Sequence, residues 1–213
     1  MYSYVIFDLD GTLIDSNGLW MEVDVEFLAR RGLAPTAEYE AVVARSIFPV
    51  AAAYTKEYYR LSDSPADIMA EWEALAAVHY RETVALKPGA RALLEQYRAY
   101  HQTMALFTAC RPALCRMVLE RFALTHYFSH VVYAEELGLE KHDPACFVRL
   151  GQLLGVPPEQ CVLLDDSPSN CATARRAGMT TVGVFDPFYA NRQDELKSVS
   201  TQYVQSLEEL LER

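Results

Sequence analysis

"YVIFDLDGTLIDS", residues 4–16, sets two carboxylates, Asp8 and Asp10, at the end of an apolar run. Tyr2 to Phe7 reads as a buried strand, because five of its six residues are aromatic or aliphatic and Asp-Gly breaks the run soon afterwards. Charge at the end of a buried strand is costly unless something compensates it. The two acids therefore ask for a partner.

Downstream of this stretch the text changes character twice. From Gly18 to about Leu86 it reads as helix. "LWMEVDVEFLARRG" (19–32) puts Trp20, Val23, Phe27 and Leu28 on one stripe and stops at Gly32. Thr36 opens a further segment, and "SPADIMAEWEALAAVHY" (64–80) has Ser64 as N-cap, Pro65 at the first helical position and Asp67 in the first turn. After "KPGARALLEQYRAYH" (87–101), short apolar runs alternate with helical ones. Strands are expected at 103–108, 130–134, 161–166 and 180–185, and helices at 111–124, 143–155 and 168–178. The terminal "SLEELLER" carries a capping box, Ser206 with Glu209. Alternating strands and helices imply right-handed crossovers and a parallel sheet, whose ligands bind beyond the carboxyl ends of the strands. The polar residues at those ends are Asp8, Asp10, Thr108, Asp165 and Asp166, with Lys141 in a loop.

Composition narrows the function. A chain of 213 residues with 51% hydrophobic content suits one core with room for an insertion or a small second lobe. No stretch reaches the ~18 apolar residues of a spanning helix, and no basic region precedes an apolar one at the N-terminus. A soluble, cytoplasmic protein is expected. Its five cysteines are odd in number and form no C-x-x-C pair, which points away from a disulfide framework or a thiolate zinc site and towards a reducing compartment. Cys110, beside Thr108, reads as a small buried thiol rather than a nucleophile. A net charge of −10 argues against a nucleic acid partner, whose phosphates need lysine and arginine. A small anionic substrate stays open if local cations offset the field.

Taken together, these positions resemble the haloacid dehalogenase superfamily of phosphohydrolases. Asp8-Leu9-Asp10-Gly11-Thr12 is similar to its D-x-D-G-T motif, Thr108 in "ALFTAC" to its strand-end Ser or Thr, Lys141 in "GLEKHDPACF" to its lysine ahead of a helix, and Asp165-Asp166 in "VLLDDSPSN" to its acidic pair. All four stand in the family's order and span residues 4 to about 185. The resemblance implies an α/β fold, a Rossmannoid parallel-sheet core (1–15 and 87–213) carrying an inserted all-helical cap domain (16–86). It also implies a Mg²⁺-dependent phosphatase acting on a small phosphate ester, as a monomer or weak homodimer, with neither nucleic acid nor membrane as partner. By resemblance, Asp8 attacks phosphorus and becomes an aspartyl phosphate, and Asp10 protonates the leaving oxygen and then deprotonates water. Asp8, the backbone carbonyl of Asp10 and Asp166 hold the metal, and Asp165 touches it directly or through water. Gly11, Thr108 and Lys141 bind the phosphate.

Two departures stand out. Proline commonly follows the motif lysine directly, whereas here the text is Lys-His-Asp-Pro; and Asn170 stands where a further aspartate is frequent, so it is expected to touch the acids rather than the ion. Within the insertion, Trp20, Tyr54, Tyr58, Tyr59, Trp72 and Tyr80, with the bases Arg45, Lys56 and Arg60, are candidates for a substrate wall, although helical spacing makes most of these aromatics packing residues. The nearest rival activity is a sugar phosphomutase using the same residues. A halide-releasing enzyme fits less well, since it needs neither Asp10 as an acid nor a magnesium site. A non-enzymatic phosphoryl-accepting receiver would carry its acidic pair near the N-terminus, and a binding module that had lost its chemistry would not keep every motif acid.

Overall fold

Hydrophobic runs without alternation require a sheet covered on both faces, and the architecture supplies one. The computed structural model describes residues 2–43, 46 and 48–211, so Arg45 lies outside the described residues. The chain forms two compact units, Met1–Asn17 with Val84–Arg213, and Gly18–Thr83.

The larger unit is built on strands β1 (Tyr4–Phe7), β4 (Met104–Thr108), β5 (His130–Tyr133), β6 (Cys161–Asp165), β7 (Thr180–Val184) and β8 (Gln202–Val204). They form one sheet in the order β5-β4-β1-β6-β7-β8, and every neighbouring pair is parallel. Helices α5 (Ala90–Ala99), α6 (Pro112–Arg121), α7 (Ala134–Leu137), α8 (Pro144–Leu154), α9 (Pro168–Arg176) and α10 (Gln193–Val199) provide the crossovers. Ile6, Phe107, Phe147, Leu150 and Leu163 are fully buried in a core between sheet and helices. Beside β1 the chain order reverses: β4 and β5 extend one way and β6 to β8 the other. An open α/β sheet forms its ligand crevice at such a reversal, outside the carboxyl ends of the strands. Asp8 follows the last residue of β1.

Two short strands, β2 (Ile14–Asp15) and β3 (Ala85–Leu86), pair antiparallel where the chain leaves for the smaller unit and where it returns, with Ile14 opposite Leu86. Two residues cannot display a sequence period, so neither strand was expected. The extra strand β8 is equally short on apolar text, with only Val204 buried. At the C-terminus the expected capping box is corrected. Ser206 accepts from the Glu208 amide at 3.2 Å, while the Glu209 side chain accepts from the amide of Gln205 at 3.0 Å, and residues Leu207–Leu210 form a 3₁₀ turn.

Among the described residues the smaller unit has helices and no strand: α1 (Leu19–Ala29), α2 (Ala37–Val43), α3 (Phe48–Tyr59) and α4 (Pro65–Glu82). Ser64 and Asp67 close a reciprocal capping box on α4, their side chains each accepting from the other's amide at 3.2 and 3.1 Å. Val23, Phe27, Ile68, Trp72 and Tyr80 are buried, so the last two aromatics serve packing. Lys56 is turned onto the carbonyls of Leu61, Ser62 and Asp63, and Tyr54, Tyr58 and Tyr59 ring the buried Tyr39. Tyr39 donates to Asp24 at 2.8 Å and exchanges a hydrogen bond with Thr55 at 2.8 Å. Burial pushes Asp24 up to about 6, against the lowering effect of the Tyr39 hydroxyl.

Candidate active site

Backbone pairing carries Asp8 one residue past β1, its amide donating to Leu164 of β6 at 2.9 Å. The chain then turns tightly: the amides of Leu13 and Ile14 both reach the carbonyl of Leu9, and Gly11 donates to Ile14 at 2.8 Å. Gly11 makes this possible with φ of +76°, where a Cβ would run into the Asp166 carboxylate and the Asn17 amide. On the neighbouring strand, Asp165 closes β6 and Asp166 follows it, just before Ser167 caps α9. The consequence is an acidic cluster in which oxygens of Asp8, Asp165 and Asp166 lie within 4.8 Å of one another, all buried.

Lys141 enters this cluster from the loop before α8. Its ammonium donates to Asp8 at 2.5 Å and to Asp165 at 3.2 Å. The departure at Lys-His-Asp-Pro has a local reason: Asp143 caps α8 through the Ala145 amide at 2.9 Å and Pro144 starts the helix, leaving Lys141 in the preceding turn. Three carboxylates thus face one ammonium, leaving surplus negative charge in a buried site. Desolvation pushes Asp8 up to about 7 even though Lys141 pulls it down, with Asp165 and Asp10 adding to the rise. Asp166 is raised well above the usual carboxylate range, first by burial and then by Asp165 and Asp8. Lys141 is raised too: burial lowers it, but Asp8 and Asp165 outweigh that. A divalent cation would supply the missing positive charge, and hard carboxylate oxygens are the donors that Mg²⁺ takes. The residues present therefore fit such an ion.

The acids differ in how they are held. Asp165 accepts from Lys141, from the Ser167 amide at 2.9 Å and from the Asn170 side chain at 3.1 and 3.2 Å, so both its oxygens are engaged. Asn170 thus touches the acidic pair through Asp165. Asp166 accepts from Thr12 at 3.1 Å on one oxygen and from Asn17 at 2.7 Å on the other. Asp10 is half-buried, stands outside the three-acid cluster and accepts from Ser16 at 2.6 Å. Thr108 is fully buried at the end of β4, where its hydroxyl oxygen accepts from the Cys110 amide at 2.9 Å. Thr12, Ser16, Asn17 and Asp186 were not singled out by sequence. Ser16 ends the same stretch as Asp8 and Asn17 follows it, and Asp186 lies just past β7, a position of the kind already marked at β1, β4 and β6. That strand-end rule could have found it.

A parallel sheet with an inserted helical unit and an acidic cluster at its reversal point is the architecture of a hydrolase of the α/β class. The chain belongs to the haloacid dehalogenase-like hydrolases, whose family profile matches residues 2–178. Among curated relatives, it is 29% identical over 188 residues to the fructose-1-phosphate phosphatase YqaB of Escherichia coli (strain K12), covering 86% of this chain and 96% of the relative. It is 30% identical over 196 residues to hexitol phosphatase A of the same organism, covering 91% and 88%. A putative β-phosphoglucomutase from Thermotoga maritima has the same fold, with a TM-score of 0.84 at 24% identity over 96% of this chain and 95% of that one.

Proposed function

We infer that the protein is a Mg²⁺-dependent phosphatase that hydrolyses a small phosphorylated metabolite through an aspartyl phosphate on Asp8. The observation that carries this reading is the meeting of Asp8 and Asp166, 158 positions apart in the chain, within reach of one cation. Family membership and relatives named as sugar phosphatases support it.

In this reading an Asp8 oxygen attacks phosphorus, the ester P–O bond breaks, and Asp10 gives its proton to the departing alkoxide. Asp10 then takes a proton from water, which attacks phosphorus; the P–O bond to Asp8 breaks, phosphate leaves and the carboxylate is restored. Lys141 and Thr108 hold phosphate oxygens, and Gly11 lets backbone N–H groups approach them. When bound, Mg²⁺ shields the anionic nucleophile from the anionic ester. Asp8, the Asp10 carbonyl and Asp166 would hold it. Asp165 would touch the ion directly or through water. Residues 18–83 act as the cap that selects the ester.

Phosphate release should be measured against fructose 1-phosphate, a hexitol phosphate, phosphoglycolate and an aryl phosphate. At least one is expected to turn over, with activity lost on chelation and reduced at least ~10³-fold in Asp8→Asn. Full turnover by Asp8→Asn would exclude the aspartyl phosphate. Conversion of a hexose 1-phosphate to its isomer without phosphate release would assign the mutase activity instead.

A further inference from the structure

Asp166 has both oxygens held, and the donor on its second oxygen is itself held. The Asn17 amide nitrogen donates to Asp166 at 2.7 Å and to Asp186, just past β7, at 3.2 Å. An amide NH₂ has two protons and no lone pair for a carboxylate to oppose, so two carboxylates on the same nitrogen fix which way the amide faces. Asp186 is fixed in turn. Its one oxygen also accepts from the Phe188 amide at 3.0 Å, and its other accepts from Lys87 at 2.7 Å. Lys87 further donates to the Phe185 carbonyl at 2.9 Å. Asp186 is buried, and its ion pair with Lys87 supplies the counter-charge that a buried carboxylate requires.

We propose that Asn17 and Asp186 are positioning residues, which with Lys87 form a relay of hydrogen bonds that sets the Asp166 carboxylate in its cation-binding orientation. The proposal rests on the reading of Asp166 as a ligand. Asn17 closes the segment leading out to the helical unit, and Lys87 lies just after the segment that returns from it. The orientation of the ligand is thereby tied to both chain crossings rather than to β6 alone. Neither Asn17 nor Asp186 touches the nucleophile, so their loss should act on the ion and leave the chemical step intact.

The test is calorimetric titration of Mg²⁺ into the metal-free full-length chain, alongside turnover measured as a function of Mg²⁺. Asn17→Ala and Asp186→Asn are expected to bind Mg²⁺ about 10- to 100-fold more weakly than wild type, the usual effect of removing the partner of a metal ligand. Circular dichroism of the metal-free proteins should be unchanged, and saturating Mg²⁺ should restore turnover of Asn17→Ala. Wild-type affinity in Asn17→Ala would overturn the proposal, as would a turnover defect that saturating Mg²⁺ does not repair. Should Asp186→Asn fail to fold, Asn17→Ala, whose side chain is half-buried, decides alone. If wild type binds no Mg²⁺, the proposed function falls first, and the titration of wild type by itself reports that.

Discussion

At Gly11 a single missing carbon makes room for the site. A methyl group there would meet both the Asp166 carboxylate and the amide that holds it, in a backbone conformation that side-chain-bearing residues rarely adopt. Gly11→Ala is therefore expected to lower phosphate release by at least ~100-fold and to cost about 1–3 kcal/mol of stability, read from turnover and from denaturant unfolding. At this scale much of the site was legible. Asp8 and Gly11 announce themselves in residues 4–16, because an acid after a buried run followed by glycine has few uses. The adjacent pair Asp165 and Asp166 is another matter. Two neighbouring aspartates look equivalent in sequence, and only the fold separates them: one is engaged by Lys141, Ser167 and Asn170, the other by Thr12 and Asn17. The partners of Asp166 lie 154 and 149 positions away in the chain and leave no local mark beside it.

Among the elements, those with caps and long periods were readable and the shortest were not. Ser64-Pro65 starts α4 where its chemistry says it should. By contrast, β2, β3 and β8 have two or three residues each, and pairing across the chain creates them. The helical unit also contains a polar contact that periodicity hides, the buried Asp24 beneath Tyr39. Its carboxyl is raised to about 6 from an unfolded value near 3.8, so the folded state favours the protonated form. The associated stability is complete below about pH 4 and is lost as pH rises through 6. Asp24→Asn, which keeps an acceptor for Tyr39 and cannot ionise, is expected to stabilise the protein by about 2 kcal/mol at pH 8 and to change little at pH 4. Urea unfolding at the two pH values measures the difference.

For the molecule as a whole, folding gathers negative charge that sequence scatters. Asp8, raised to about 7, and Asp166, raised well above its ordinary value chiefly by burial, both make the metal-free folded state hold protons more tightly than the unfolded chain. This contribution to stability is full below about pH 4 and disappears as pH climbs past 7. A cation that binds only the folded, ionised cluster restores stability by mass action. The melting midpoint of chelated protein should fall between pH 5 and 8, and added Mg²⁺ should raise it more at pH 8 than at pH 5, as scanning calorimetry can record. Equal shifts at both pH values would mean that the ion binds elsewhere.

The pairing of Ile14 with Leu86 and of Asp15 with Ala85 has a separate bearing on how such a chain can vary. Departure and return occupy adjacent backbone positions, so a hairpin-length closure suffices to bridge the gap if the intervening helices are excised. Inserts of other sizes can be spliced at the same seam without rewiring the strands on either side. Recombination can thus exchange the helical unit while the sheet and its acidic cluster are inherited intact.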